Sequence, residues 1–267
     1  MAKTSSIVDL RGKIGDIVFF KRGGKIFARK AAGSNLNTFR SSSNFVRVRE
    51  NASEFAALTR LAAAVRKMTA SVEPSAVSKL NIQSRLTHLL SPLRFLDTVS
   101  VRGKRSFALS RKPELLVGFD WNVSNSLPSL LFAPVTASRS GASVTFAVPA
   151  ISPSEHIAPP SGATHYRLVF LVSSVSDLTF SDSDNDYAPA NAAADMRSAL
   201  SLGNLTSLSE STETQTVTLA NPVAALDSAT LVASVAIVFY QQIGGVNYVL
   251  KDANALRTIA AWDGGNE

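Results

Sequence analysis

The sequence predicts an α+β fold in which an N-terminal β-hairpin arm and an αα-hairpin precede a mainly antiparallel β-sandwich. Three observations carry this prediction. Two apolar runs flank a Gly-Gly turn between Ile14 and Lys30, two stretches between residues 51 and 93 repeat apolar residues at helical spacing, and from about Leu115 short β-like runs alternate with turn residues. With 267 residues and 45% apolar content the chain can bury a sizeable core. These textures divide it into an arm at residues 1–33, a basic linker and two-helix region at 34–112, and an acidic sandwich domain at 113–267 with a long insertion at 175–213.

The arm reads as strands Ile14 to Phe20 and Ile26 to Lys30 around Lys21-Arg-Gly-Gly-Lys25, where Gly23 and Gly24 supply the positive φ of a tight turn. Ile14, Ile17, Val18, Phe19, Phe20, Ile26 and Phe27 crowd a hairpin too small to hide them. Cover for them must come from elsewhere, so these seven residues are the candidate assembly contacts. The polar stretches Gly33-Ser-Asn-Leu-Asn and Ser41-Ser-Ser-Asn44 then read as a linker that lets the arm reach its own body or a neighbour's.

Next, Asn51-x-x-Glu54 has the form of a capping box, followed by Phe55, Leu58, Leu61, Val65 and Met68 at spacings of three and four, with Pro74 as a stop. A second helix from about Ser75 to Leu90 carries Ile82, Leu86, Leu89 and Leu93, and Pro92 ends it. Arg60, Arg66, Lys67, Lys79 and Arg85 point away from these apolar stripes and form a candidate basic surface. Beyond residue 113, strands are expected at 115–120, 143–149, 166–172, 214–219, 231–240 and 246–251, the last two joined as a hairpin through Ile243-Gly-Gly245.

The net charge of +7 conceals an asymmetry. Residues 1–112 hold 22 Lys and Arg against 6 Asp and Glu, whereas residues 113–267 hold 5 against 14. Such a split points either to an acidic partner such as nucleic acid or to like subunits meeting basic end to acidic end. With no cysteine, a disulfide framework and a thiolate metal site are both excluded. The residues after Met1 are broken by charges and offer no signal-peptide core, and the longest apolar run, Leu231 to Tyr240, is about half a membrane span. A soluble protein made in the cytoplasm, without a membrane span, is expected.

Motifs for chemistry are scarce. His88, His156 and His165 have no second ligand at metal-binding spacing, and Gly12-Lys13-Ile14-Gly15 lacks the glycines and the Ser or Thr of a phosphate loop. Asp182-Ser-Asp184-Asn-Asp186 opens like a calcium loop, but Tyr187 stands where the sharp turn wants Gly and Ala193 where the bidentate Glu belongs. The spacing of Asp120, Glu155 and Asp177 does not say whether they share a pocket. We therefore expect no catalytic residue, no cofactor, no metal and no small-molecule substrate.

Gly12-Lys-Ile-Gly-Asp-Ile-Val-Phe-Phe20 followed by Lys25-Ile-Phe-Ala-Arg-Lys30 resembles the N-terminal signature of bacterial proteins, mostly from Bacteroidetes, that carry a domain of unknown function. Leu116-Val-Gly-Phe-Asp-Trp-Asn122, Phe132-Ala-Pro-Val135 and Pro159-Pro-Ser-Gly-Ala-Thr-His165 are similar to later parts of those proteins, with Asp16 where they more usually have Asn. The resemblance implies the same layout over most of the chain and no particular activity.

The function expected from these features is that of a structural subunit whose partners are copies of itself, assembled as a filament, tube, shell or virion-like particle through arm exchange and basic-to-acidic contacts. The alternative is a nucleic-acid-binding protein that uses the basic N-terminal half. A carbohydrate- or surface-binding module rests on analogy with other sandwiches alone, and an enzyme with dispersed catalytic groups stays open.

Overall fold

A computed structural model of the chain describes residues 2–4, 11–31, 36–77, 80–251 and 253–265. Its contacts separate two compact units, Met1–Arg49 and Glu50–Glu267.

The first unit is built on a four-stranded antiparallel sheet in the order β1-β4-β3-β2, with β1 at Ala2–Thr4, β2 at Gly12–Ile14, β3 at Ile17–Arg22 and β4 at Lys25–Lys30. The expected hairpin is therefore the centre of a larger sheet, and its first strand begins three residues later than Ile14. Ile14 opposes Ile17 across Gly15-Asp16, and Arg22 opposes Lys25 across Gly23-Gly24. Gly23 and Gly24 have φ of +57° and +76°, the left-handed pair that a two-residue hairpin turn requires.

The stretch expected as polar linker contains helix α1 (Leu36–Ser41) and a 3₁₀ turn at Ser43–Phe45. The Ser42 hydroxyl accepts from the Asn44 N–H, and the Arg49 guanidinium donates to the carbonyls of Phe39 and Ser42 at 2.6 and 3.0 Å. Capping of this kind rests on polar side chains reaching back along the chain, which hydrophobic periodicity does not register.

Helix α2 (Val46–Lys67) begins five residues before the expected capping box. Asn51 and Glu54 lie inside it and face other partners: Asn51 accepts from Arg102 at 2.6 Å, and Glu54 accepts from the Gly103 N–H at 2.8 Å. Helix α3 spans Ile82–Leu90, shorter than expected because Pro74–Ala76 forms a separate 3₁₀ turn. Two single turns, α4 (Leu127–Leu130) and α5 (Pro153–His156), complete the helices.

The strands of the second unit are β5 (Thr136–Ser140), β6 (Ser143–Val148), β7 (His165–Ser176), β8 (Leu178–Ser181), β9 (Asp186–Pro189), β10 (Arg197–Leu202), β11 (Thr206–Ser207), β12 (Gln215–Ala220), β13 (Ala229–Ile243), β14 (Val246–Val249) and β15 (Ala255–Asp263). A six-stranded sheet runs β10-β7-β13-β14, with β11 also on β7 and β15 also on β13. A three-stranded sheet runs β12-β6-β5, and β8 pairs with β9.

Every one of these pairings is antiparallel, as expected, and the two larger sheets form an open sandwich. Leu168, Phe170 and Val172 of β7, with Leu231, Val235 and Phe239 of β13, pack on Val144, Phe146 and Val148 of β6. The intervening residues Val169, Leu171, Val175, Val232, Ala236 and Val238 pack on Leu58, Leu61 and Val65 of α2 and on Leu86 and Leu90 of α3. The central sheet thus carries strands on one face and helices on the other. Strands buried on both faces read as continuous apolar runs, which is why β7 and β13 lack polar alternation.

Two segments differ from the expected strands and loops. Leu115 to Asp120 is not a strand: Pro113–Leu116 is a 3₁₀ turn, Gly118 has φ of +81°, and only Asp120 forms a β-bridge, to Arg257. The 175–213 stretch, expected as a long insertion without strands of its own, completes β7 and contributes β8, β9, β10 and β11. Their Ser, Asp and Ala composition disguised them, because most of their positions are only partly buried or exposed and need no large side chain.

Candidate interaction surface

The N-terminal sheet has two faces of opposite chemistry. Residues directly opposite on antiparallel strands share a face, so Ile14, Ile17, Phe19, Ile26 and Ala28 stand together on one side, with Lys21 and Lys30 at its ends. On the other side stand Lys13, Val18, Arg22, Lys25 and Arg29 around Phe20 and Phe27. The Phe20 and Phe27 rings stack with centroids 5.7 Å apart and planes 24° from parallel, and the Arg29 guanidinium lies 5.5 Å from the Phe20 ring centre. Those contacts fix the rings and the cation on one face.

Burial in this unit is slight. Ile26 is 9% exposed and is its only buried hydrophobic residue among those described, while Ile14 and Ile17 are 62% and 45% exposed. Val18, Phe19, Phe20 and Phe27 are half-buried. All seven residues expected as assembly contacts thus fall on this sheet, but they divide between its faces: Ile14, Ile17, Phe19 and Ile26 on the apolar one, Val18, Phe20 and Phe27 on the aromatic one. Residues 1–49 carry 11 Lys and Arg against two Asp, so the unit is strongly basic.

The basic surface expected on the helices is not a single array. Arg60 pairs with Asp186 at 2.7 Å and also donates to the Tyr187 carbonyl, tying α2 to the β8–β9 hairpin. Arg85 donates to the Asp120 carbonyl at 2.6 Å and lies 4.6 Å from the Phe119 ring centre, half-buried. Arg66 and Lys67 are exposed in the last turn of α2, and Lys79 lies outside the described residues. Two of the four described cations therefore hold the fold together across long sequence separations. Charge and helical phase identify outward positions, but neither reveals a partner 126 residues away.

Sequence reasoning missed Lys13, Arg22, Lys25 and Arg29 as a group. The signal was present: once Gly23-Gly24 is taken as a two-residue turn, Arg22 opposes Lys25, Phe20 opposes Phe27 and Val18 opposes Arg29. Carrying the register outward from the turn puts all of them on one face.

Most of the polar groups considered for chemistry have structural partners. Asp120 pairs with Arg257 at 2.8 Å and accepts from the Leu127 N–H. Asp177 is buried, receives the Ser110 N–H and hydroxyl, and opens onto a polar cleft of ≈ 460 Å³; burial pushes its carboxyl above the ordinary range, with Asp263 adding to that and the Ser110 bonds opposing it. Glu155 is exposed on α5. Asp182 pairs with Lys104, Asp184 accepts from Ser181, and Asp186 is held by Arg60, so the calcium-like spacing is spent on three separate contacts. No cluster of three or more His, Cys, Asp or Glu placed to hold a metal ion occurs among the described residues. His88 is exposed on α3, His156 accepts from the Ser152 N–H through Nδ1, and His165 bonds the Thr164 hydroxyl.

A dense set of contacts fixes the loop 97–106 on α2. Glu54 holds the Gly103 N–H, while the hydroxyls of Ser53 and Tyr187 donate to the Gly103 carbonyl at 2.8 and 3.2 Å. Burial, reinforced by the Glu54 charge, pushes the Tyr187 phenol up to about 12. Asp97 accepts from the N–H groups of Val99, Ser100 and Ser106 and from the Ser106 hydroxyl. Burial works against its charge, but those bonds outweigh it and hold the carboxyl well below the usual range.

Compared with protein-family models, curated proteins and solved structures, the chain matches none.

Proposed function

We propose that this protein is a non-catalytic structural subunit that self-associates, with the apolar face of its N-terminal sheet covered by another copy. The observation that carries the reading is the exposure of Ile14 and Ile17 at 62% and 45% on a face shared with Phe19, Ile26 and Ala28. Full burial of an exposed large apolar side chain contributes roughly 1.5–3 kcal/mol, and Ile14 and Ile17 still hold about half of that surface open, so covering this face favours contact. Charge supports a like copy as the occupant. Residues 1–49 carry +9 and residues 113–267 carry −9, so a basic unit meeting the acidic part of the next chain is attractive, and repetition of that head-to-tail contact builds a ring or a filament.

Light scattering coupled to size-exclusion chromatography tests the reading. The full chain elutes as an oligomer or polymer, and a chain lacking residues 2–33 elutes as a monomer with a cooperative melt. The double substitution Ile14→Lys and Ile17→Lys, which leaves Gly15, Gly23 and Gly24 of the turns in place, has the same effect. A monomeric full chain, or a truncated chain that still polymerises, sinks the proposal.

A further inference from the structure

We propose that the aromatic face of the N-terminal sheet binds single-stranded nucleic acid. The inference does not rest on self-association, whose apolar contact uses the opposite face. Four cations, Lys13, Arg22, Lys25 and Arg29, surround Phe20 and Phe27 on this face, and no acidic side chain shares it among the described residues. All four cations are exposed, and both rings are half-buried. Their positive charge fits a polyanion. Charge alone would suit any acidic surface, and the rings narrow the choice.

A pair of phenyl rings set among cations is costly to leave in water and offers an acidic peptide little, whereas unpaired bases have π-faces that stack on such rings irrespective of sequence. The Arg29 guanidinium lies over the Phe20 ring and offers its own plane for stacking in place of that ring face, since bases also stack on guanidinium planes. In a duplex the base faces are already stacked on one another. The surface therefore selects single strands, with the rings taking bases and Lys13, Arg22 and Lys25 taking phosphates along the flanks. At the turn between Arg22 and Lys25, a Cβ built on Gly23 or Gly24 would meet only open space, so no side chain crowds that end of the sheet.

Fluorescence anisotropy of a labelled oligothymidine and an oligouridine, each about 20 nucleotides, titrated with the full chain over a salt series, tests the proposal. Both single strands bind, and a duplex of equal length competes at least tenfold more weakly. Phe20→Leu with Phe27→Leu preserves apolar bulk and weakens binding by roughly tenfold or more without changing the salt slope, because stacking is removed while the phosphates stay neutralised. Arg22→Glu with Lys25→Glu weakens binding and lowers the slope by about 0.7 for each phosphate no longer neutralised. Arg66→Glu with Lys67→Glu, the same charge change on α2, leaves affinity and slope unchanged. Should the phenylalanine pair be needed for folding, the two charge variants decide between themselves. No binding at low salt, equal binding of duplex, or equal losses from the two charge variants overturns the proposal, the last two because they indicate diffuse attraction without a site.

Discussion

Gly103 provides the sharpest test of how the second unit is held together. Its φ is +92°, and a Cβ built there would lie 3.1 Å from the Glu50 Cα and 3.2 and 3.3 Å from the Glu50 Cγ and Cβ. Backbone strain for an L-residue in this region is on the order of 1–3 kcal/mol. Overpacking against α2, whose backbone cannot yield cheaply, adds roughly 1–3 kcal/mol. The reduced freedom of the unfolded chain returns about 0.4–1 kcal/mol.

Gly103→Ala is therefore expected to cost roughly 2–4 kcal/mol, a fall in Tm of about 5–12 °C for a unit of this size. Gly162→Ala separates the two causes. Gly162 also has positive φ, +83°, but its nearest neighbour is the far end of the Gln241 side chain at 3.3 Å, so only the strain remains. Differential scanning fluorimetry of the pair should place Gly103→Ala well below Gly162→Ala. A Gly103→Ala protein that melts with wild type would refute the docking of the 97–106 loop on α2.

Two further outcomes follow from polar groups. Asp97→Asn should lower stability at neutral pH by about 2 kcal/mol, as charge-assisted bonds from three N–H groups and a hydroxyl weaken. Because the folded carboxyl lies below its ordinary value of 3.8, its contribution is complete above that pH and is lost as the pH falls through the folded value; the gap between variant and wild type should close in acid, and a gap independent of pH contradicts the assignment. Asn254 is fully buried; its side chain accepts from the Phe239 N–H at 2.7 Å and donates to the Leu250 carbonyl and the Ser75 hydroxyl, both at 2.7 Å. Asn254→Ala leaves these groups unpaired and should cost roughly 2–4 kcal/mol in chemical denaturation, and a cost below about 1 kcal/mol would show that water replaces the amide.

The legible parts of the fold were those where one local rule governs the outcome. Gly23-Gly24 and Gly244-Gly245 fixed two hairpins, and the apolar runs 166–172 and 231–240 located β7 and β13. What failed depends on partners far along the chain. Leu115 to Asp120 has strand composition, but Pro113 and Gly118 dictate a turn. The extension of β7 through Ser173, Ser174 and Ser176 was hidden because serine is a poor strand signal, although the Ser173 and Ser174 hydroxyls find the carbonyls of Met68 and Ala194. The two helices were legible, but their packing on the second face of the central sheet was not, since an apolar run does not say whether one layer or two will cover it. For the interaction surface, the arm's residues were recognised by crowding, yet their division between two faces needed the register.

The way β13 shares its edge has a practical consequence. From Thr230 to Ile237 that edge belongs to β15, from Tyr240 to Ile243 it belongs to β14, and the Asn254 side chain fills the break between them. Among the described residues Gln241 to Ile243 pair with no strand other than β14, and Gly244 and Gly245 have nothing within 4 Å of where a Cβ would stand. Beyond Gln242, whose N–H donates to the Thr164 hydroxyl at 2.8 Å, the tip is thus a ribbon end of one residue pair and its turn. Residues can be added there in matched pairs, and a peptide epitope or a fluorophore site spliced between the two glycines leaves both cores beneath it untouched, which makes this the natural handle for labelling the protein.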